Sequence, residues 1–262
     1  MGMQEQSGTE VNLPQVRRLE AVSFRAWPAA LVQYDGSWQI RLTGGHPSKR
    51  INCVVALDRS DTRDIRLRLE KASRKFESYG RAMMFRQTPL AAPEIIDILQ
   101  QDGWRHIEEN LVMTLDLNAL DGYEAMDHLP THDIGRFLDA SIALHNDDPA
   151  LKPGLAEVIG NIKPPYGLFL KEAPGNDLIS SAICVQDNDI AGLVQLVVNP
   201  DYRGRGEGFE LTYAALRWAR LRGARLAWLQ VTANNSSALS LYRKLGFTEA
   251  YRYVYWSPES RS

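Results

Sequence analysis

The sequence predicts an α/β protein made of two tandem halves, each a mixed central sheet flanked by helices. Its 262 residues leave room for two domains of about 120–130 residues each. From its third strand onward, each half shows the order strand, helix, strand, helix, long strand. Both halves also contain a helical segment that ends in a glycine followed by an aromatic residue, IIDILQQDGW (95–104) and LSLYRKLGF (239–247). We therefore predict a duplicated unit, with halves at 1–120 and 131–262 and a polar, turn-rich linker at 121–130.

The elements of the first half follow from the spacing of its apolar residues. A helical stretch at 19–27 precedes three strand-like segments at 29–35, 37–43 and 50–57. Asp61 is predicted to cap the next helix, because Asp is a preferred N-cap residue, and Gly80 is predicted to end it. The half closes with a strand at 82–87, a helix that begins at Pro93 and a long strand at 106–117.

The second half repeats this order around one unusual turn. It opens with a helix at 133–145 and a breaker-rich stretch at 147–166, followed by strands at 167–171, 178–186 and 191–198. After the glycine-rich turn come a helix at 209–223, a strand at 225–231, a helix at 236–246 and a strand at 247–256. Alternation in that last strand places Tyr251, Tyr253 and Tyr255 on one face.

Composition and charge exclude several classes of function. The 30 basic and 32 acidic residues give a net charge of -2, so neither nucleic acid nor an anionic membrane is an expected partner. Cys53 and Cys184 each lie in an apolar stretch, which favours reduced, buried thiols over a disulfide framework. The polar N-terminus and the lack of an apolar run of about 20 residues predict a cytoplasmic protein without a membrane span.

The glycine-rich turn NPDYRGRGEG (199–208) is the clearest candidate for a binding site. Gly204, Gly206 and Gly208 permit positive φ and leave backbone amides open to a ligand, at the positive end of the following helix. Arg203 and Arg205 add charged donors for a phosphate, although a flexible connector would also explain the glycines. A Walker loop and a dinucleotide fingerprint both fail, since Phe209 follows the last glycine and no acidic residue stands some 20 positions on.

Two motifs in the second half resemble the GNAT family of N-acetyltransferases. Residues 203–208 (RGRGEG) are similar to the family's R/Q-x-x-G-x-G/A pyrophosphate loop, and residues 235–247 (NSSALSLYRKLGF) to its N-x-x-A-x-x-x-Y-x-x-x-G-F segment. The resemblance covers about Tyr166 to Trp256. The first half resembles a degenerate GNAT repeat of a tandem-GNAT protein, without a cofactor loop.

The resemblance implies acetyl-CoA as cosubstrate, bound where two strands of the sheet part. Backbone groups at the end of the strand that precedes the glycine-rich loop would hydrogen-bond the pantetheine arm. The loop itself would hold the pyrophosphate. The implied cofactor-binding residues are Leu196, Val197, Val198, Arg203, Gly204, Arg205, Gly206, Glu207, Gly208 and Asn235. Asn235 also suits a helix N-cap, and the two roles are compatible.

Tyr242 occupies the position of the family's tyrosine, which implies a general acid that protonates the departing thiolate. A packing role is the alternative for a tyrosine on a helix face. The base is not identified: the strand at 191–198 carries Gln195 where many relatives carry a glutamate. Asp187 and Asp189 are typical of a hairpin turn, and His145 is typical of a helix end. We therefore expect either a base that acts through a water molecule or a substrate amine that is already partly deprotonated.

The sequence therefore predicts an acetyl-CoA-dependent N-acetyltransferase, active in its second half and working by direct attack in a ternary complex without a metal. Its acceptor would be a small-molecule amine, a protein N-terminus or a lysine. The chain would be a monomer or a homodimer. The alternative is an acyl-CoA sensor or interaction module that has lost catalysis, and a third possibility is an interaction protein without a cofactor.

Overall fold

The computed structural model describes residues 11–120 and 128–259. Its helices are α1 (Leu13–Ala26), α2 (Ile65–Glu77), α3 (Pro93–Gln101), α4 (Ile134–His145), α5 (Lys152–Gly160), α6 (Glu207–Leu221) and α7 (Ser236–Lys244). Its strands are β1 (Leu31–Asp35), β2 (Trp38–Leu42), β3 (Cys53–Ala56), β4 (Phe85–Gln87), β5 (Arg105–Asp116), β6 (Tyr166–Glu172), β7 (Leu178–Asp187), β8 (Ile190–Val198), β9 (Leu226–Thr232) and β10 (Thr248–Ser257). The predicted linker lies outside the described residues except for its last three positions.

The ten described strands form one continuous mixed sheet in the order β1-β2-β3-β4-β10-β5-β9-β8-β7-β6. The β3–β4 and β8–β9 pairs are parallel, and the other neighbours are antiparallel. The order is symmetric about its centre, where the last strand of each half lies beside the first four strands of the other half. The two predicted sheets therefore join edge to edge, and β5 and β10 cross between the halves.

Helices cover both faces of the sheet and create three apolar clusters. On one face, α1, α4 and α5 pack over the centre of the sheet, where Val16, Phe137 and Val158 share a core with Tyr251, Tyr253 and Tyr255. The predicted shared face of these three tyrosines is confirmed. On the opposite face, α2 and α3 cover the first half and α6 and α7 cover the second. The shared α1 face thus joins the halves into one core.

Two helices differ from the sequence expectation. Helix α1 begins at Leu13 instead of at residue 19, because the Asn12 side chain accepts a hydrogen bond from the Gln15 amide at 3.1 Å. Helix α5 lies in the stretch that its breakers had marked as irregular. A Cβ on Gly154 would stand 1.8 Å from the Gly45 carbonyl oxygen, so this glycine permits close packing.

The predicted cap of α2 is wrong. Asp64, with φ of 45°, occupies the N-cap position and makes no side-chain cap bond. Asp61 instead accepts hydrogen bonds from the amide and hydroxyl of Ser37, both at 2.8 Å, and pairs with Arg68 at 3.0 Å. The carboxylate therefore ties the turn after β1 to α2, a tertiary role that a local capping pattern does not reveal.

Candidate active site

The candidate site lies where β8 and β9 part. Their parallel pairing runs from Ile190 and Leu226 to Leu193 and Leu229, and each strand then continues along its other neighbour. The register of β7 and β8 shifts just beyond this point, and Gln195 adopts a φ of 55°. This bulge turns β8 away from β9 and opens a gap at the carboxyl ends of the two strands. Leu196, Val197 and Val198 are half-buried beyond it.

Sequence reasoning missed this bulge. The only local signal was Gln195, a polar residue inside an otherwise apolar strand. Positive φ is uncommon for residues other than glycine, and such positions cluster at functional sites. The bulge therefore marks the gap independently of the glycine-rich turn.

The glycine-rich turn stands at the end of β8 and leads into α6. Gly204 and Gly206 adopt φ of 76° and 90°, and a Cβ on either would meet no described atom within 4 Å. Helix α6 starts at Glu207 without a side-chain cap among the described residues. Its first amides and its dipole therefore face an open region beside the gap, which is the arrangement that binds phosphate groups.

Gly208 serves a different purpose from the other two glycines. Its φ is not in the left-handed region, and a Cβ would stand 3.2 Å from Val198 Cγ2 and 3.1 Å from Leu241 Cδ2. Glycine at this position lets α6 approach both β8 and α7. The expectation of positive φ thus holds for Gly204 and Gly206 only.

Side chains around the turn brace it against the sheet. The Nε of Arg203 donates to the Val198 carbonyl at 3.2 Å, and the Arg205 guanidinium lies 5.2 Å from the centre of the Tyr202 ring. Both arginines are exposed. Glu207 pairs with Lys171 of β6, so its carboxylate is engaged and its backbone amide is the group left for a ligand.

Tyr242 lies on α7, and Asn235 directly precedes that helix. The Asn235 Oδ1 accepts a hydrogen bond from the Ala238 amide at 3.1 Å, so this residue caps α7. Tyr242 is 7% exposed and packs edge-on against Phe247. Burial raises the pKa of the Tyr242 hydroxyl to about 12, and the Arg50 cation opposes that rise.

Arg50 belongs to the first half and was not anticipated. Its Nη2 lies 3.5 Å from the Gln230 carbonyl oxygen in β9. Beside it, a cavity of about 10 Å³ is bounded by Val194, Trp228 and Gln230 at the gap, and by residues of the first half that include Trp27, Arg41 and Arg86. This volume holds about one water molecule. The first half thus closes the gap from the α1 side.

Arg41 and Arg86, two buried cations of the first half, line this inner cavity. Glu20 pairs with Arg86 at 2.8 Å and accepts a hydrogen bond from the Tyr251 hydroxyl at 2.6 Å. Arg41 is 1% exposed, and its three hydrogen bonds go to neutral acceptors of Trp27, Gln39 and Arg50. Desolvation lowers the pKa of Arg41 to about 10. No motif in the sequence connects these residues.

The three residues considered as bases are engaged elsewhere. Asp187 and Asp189 lie at the turn between β7 and β8 and pair with Arg25 at 2.5 Å and Arg18 at 2.6 Å. The Nδ1 of His145 lies 2.9 Å from the Ser141 carbonyl oxygen of the same helix. The carboxylates therefore anchor α1 to the β7–β8 hairpin.

Residues 11–120 and 128–259 contain neither a candidate membrane-spanning helix nor a candidate metal site. No helix in these ranges has both the length and the hydropathy needed to cross a bilayer. Within the same ranges, no group of three or more His, Cys, Asp and Glu side chains could hold a metal ion.

Sequence comparison connects the site-bearing half with known enzymes. Residues 136–247 match the Acetyltransferase (GNAT) family. Over 252 residues, 92% of this chain and 97% of the relative, the chain is 25% identical to the uncharacterized N-acetyltransferase YobR of Bacillus subtilis (strain 168). Over 62 residues, 24% of this chain and 42% of the relative, it is 40% identical to the ribosomal protein bS18-alanine N-acetyltransferase of Escherichia coli (strain K12).

Solved structures share the whole architecture. A GCN5-related N-acetyltransferase from Kribbella flavida superposes with a TM-score of 0.68 at 16% identity, covering 96% of this chain and 97% of that chain. A tandem GNAT protein from the clavulanic acid biosynthesis pathway superposes with a TM-score of 0.61 at 14% identity, covering 93% and 89%. The predicted fold, a mixed α/β architecture of two GNAT-like halves, is confirmed.

Proposed function

Because residues 136–247 form an acetyltransferase domain of the GNAT family, we propose that this acyltransferase moves an acetyl group from acetyl-CoA directly to a primary amine in a ternary complex. The observation that carries the proposal is the uncapped start of α6 beside the gap between β8 and β9. Backbone amides at a helix N-terminus favour a diphosphate, and the parted strands leave room for an extended arm. The two features adjoin because the turn directly follows β8.

The residues of this turn suit a pyrophosphate in shape and charge. Gly204 and Gly206 leave open space where a side chain would stand, and Arg203 and Arg205 are exposed beside them. The amides of residues 204–208 would hold the diphosphate, and Leu196, Val197 and Val198 would offer backbone groups to the pantetheine arm. Asn235 would contact the cosubstrate through Nδ2, because its Oδ1 already caps α7. When bound, acetyl-CoA supplies an acetyl group activated as a thioester.

Tyr242 would hold the proton that the leaving sulfur needs. A hydroxyl with a pKa of about 12 stays protonated at neutral pH, so its proton is available to hydrogen-bond the sulfur as negative charge develops there. The nearby Arg50 cation favours the phenolate and so assists proton donation. Tyr242 would therefore act as the general acid.

Direct transfer is supported by the state of the two cysteines. Burial raises the pKa of Cys53 to about 11 and that of Cys184 to about 12, so neither supplies a thiolate at neutral pH. The neutral amine would then attack the thioester carbonyl without an enzyme-bound intermediate, the C–S bond breaking as the C–N bond forms and the surplus amine proton passing to water. The relative matched over 62 residues is named for an alanine of a ribosomal protein, and a protein N-terminus, a lysine or a small amine all fit the proposal.

Two matched glycine variants test the cofactor site. Gly206→Val and Gly223→Val both place a β-branched residue at positive φ, at opposite ends of α6, where a Cβ meets no described atom within 4 Å. The helix between them has 15 residues and is about 22 Å long at 1.5 Å of rise per residue. Calorimetry should show acetyl-CoA affinity lowered at least 30-fold in Gly206→Val, with Gly223→Val close to wild type. Equal affinity in both variants, or acetyl-CoA binding without thiol release for any amine, would contradict the proposal.

A further inference from the structure

Lys171 of β6 lies in the row of residues that crosses the sheet to the end of β8. It is the register partner of Ser180 in β7, and Ser180 is the partner of Val198, the last residue of β8. Directly opposite residues point to the same face of a sheet, so Lys171 and Val198 share a face and lie about 10 Å apart, two strand spacings. The start of α6 covers this face, because a Cβ on Gly208 would stand 3.2 Å from Val198 Cγ2.

The Lys171 ammonium pairs with both acidic residues in the first turn of α6. These are Glu207, the first residue of the helix, and Glu210, whose carboxylate lies 2.6 Å from the Lys171 Nζ. The Lys171 side chain is 12% exposed, so solvent screens these pairs less than pairs at the open surface. Burial by itself would lower the pKa of Lys171, but the two carboxylates outweigh that effect and raise it. Lys171 is therefore a cation at neutral pH.

The acidic cluster of Lys171, Glu207 and Glu210 stands where the proposed function places a diphosphate. One cation and two carboxylates give the cluster a net charge of -1. His128 is close enough for these charges to act on its titration, but burial and the Lys171 cation lower its pKa, so it adds no charge at neutral pH. Without Lys171 the net charge would be -2. Carboxylates and a diphosphate at the same helix start repel each other, so the added charge would weaken diphosphate binding.

We propose that Lys171 is a positioning residue for the cosubstrate, because it neutralises the acidic cluster and directs the Glu207 carboxylate toward β6. This inference rests on the proposed function. Lys171 acts through Glu207 and Glu210 and makes no contact with acetyl-CoA itself. The Glu207 backbone amide is then left for a phosphate oxygen, while the carboxylate of the same residue is paired on β6.

Lys171→Met removes the charge and keeps an unbranched side chain. Calorimetry at low ionic strength should show acetyl-CoA affinity lowered about tenfold, because the diphosphate then meets one more uncompensated negative charge. The loss should be smaller at high salt, which screens charges. Lys171→Arg keeps the charge and should bind acetyl-CoA as wild type does. The matched control is Lys152→Met, which breaks the ion pair between Lys152 of α5 and Asp139 of α4 and should leave the affinity unchanged.

A double variant, Lys171→Met with Glu207→Gln, separates this electrostatic role from a structural one. Glu207→Gln removes one negative charge and keeps the backbone amide, so the double variant should recover most of the affinity that Lys171→Met loses. A lysine that only tied β6 to α6 would give no recovery when its partner is also changed. Unchanged affinity in Lys171→Met, or a double variant that binds no tighter than Lys171→Met, would overturn this inference and leave the proposed function standing.

Glu210→Gln decides the question if Lys171→Met fails to fold. It leaves the Lys171–Glu207 pair in place and brings the net charge of the acidic cluster to zero. Acetyl-CoA affinity should then rise about threefold, less than the loss in Lys171→Met because the Glu210 side chain is 38% exposed and more strongly screened. Unchanged or lower affinity in Glu210→Gln would contradict the inference. Wild type that fails to bind acetyl-CoA would instead overturn the proposed function beneath it.

Discussion

Tyr242 is protonated at neutral pH, which a proton donor requires, and its surroundings act on its pKa in opposite directions. It is almost fully buried, its pKa is raised, and the Arg50 cation from the other half is close enough to influence its titration. A residue that only packed against Phe247 would contribute through its ring, and its hydroxyl would be dispensable. Removal of the Tyr242 hydroxyl therefore distinguishes the two roles, because it would slow catalysis by a general acid and leave a packing residue unaffected.

Tyr242→Phe should lower kcat about 100-fold, the lower range of general acid catalysis, and change the acetyl-CoA dissociation constant less than twofold. The ring remains, so the core around α7 should keep its stability. Steady-state kinetics and calorimetry on the same preparation separate the two quantities. Tyr166→Phe, on β6, is the control and should leave kcat unchanged. A kcat within threefold of wild type in Tyr242→Phe would show that Tyr242 is a packing residue.

At the candidate site, the sequence predicted residues that stand in contiguous motifs and missed residues that the tertiary fold brings together. Gly204, Gly206 and Tyr242 stand in contiguous segments that resemble family motifs, and this resemblance predicted them as site residues. Glu20 and Arg50 meet the second half only through the tertiary fold, and no local pattern connects them with it. Long-range contacts of this kind need the sheet order, which residue spacing does not contain.

The turn between β1 and β2 is held to α2 through Asp61. Burial by itself would raise the pKa of this carboxyl, but the Ser37 amide and the Arg68 guanidinium outweigh that effect and hold the pKa well below its usual range. Gly36, with φ of 57°, leaves space for the carboxylate, since a Cβ there would stand 2.6 Å from Asp61 Oδ2. The hairpin and the helix are thus linked by one charged group.

Asp61→Asn should lower the free energy of unfolding by about 2 kcal/mol at neutral pH, from weakened hydrogen bonds to a charged group. Because the folded pKa lies below the unfolded value of about 3.9, this contribution is present above that pH and is lost as the pH falls through the folded pKa. Urea unfolding at pH 7 and at pH 3 should therefore show a smaller gap between variant and wild type in acid.

Asp58→Asn is the control for this measurement, because the Asp58 side chain bonds only the neighbouring Ser60 among the described residues. It should alter stability much less than Asp61→Asn. A loss at pH 7 that is equal in the two variants would show that Asp61 acts through the local turn and not through α2.

At the scale of elements, most helices and strands could be predicted from periodicity, and the misses have physical causes. Pro153 and Gly154 predict a break, yet Pro153 stands in the first turn of α5, where proline is tolerated, and Gly154 meets Gly45. Asp61 satisfies the sequence rule for a cap, but its carboxylate bonds Ser37 in the β1–β2 turn and the Arg68 side chain of α2 instead of a backbone amide at the helix start. A local rule fails where a tertiary contact uses the same residue.

For the whole molecule, the duplication was visible in the sequence, but the exchange of β5 and β10 was not. Either half could in principle keep its own last strand, and the apolar pattern of β10 suits both arrangements. The observed order places β10 between β4 and β5, two strands of the first half. The domain boundary at 121–130 therefore remains a prediction. The two halves on its sides each pair their last strand, β5 or β10, with strands of the other half.

This exchange leads to an expectation for the isolated second half. Without the first half, β10 loses both neighbours, and β9 loses its pairing with β5. Tyr251, Tyr253 and Tyr255 would also lose the α1 residues that bury them. Residues 128–262 expressed alone should show no cooperative thermal transition and no acetyl-CoA binding, because an exposed edge and an uncovered core face remain.

Co-expression of residues 1–127 with residues 128–262 should restore the fold, since strand pairing and the α1 core join the halves without a covalent link. The expected product is a one-to-one complex that binds acetyl-CoA within about tenfold of the intact chain, with the difference set by the entropy of association. Thermal unfolding and calorimetry on the purified complex provide both readouts. Cooperative unfolding and acetyl-CoA binding by residues 128–262 alone would instead show that the second half is an autonomous domain, with β10 able to pair within it.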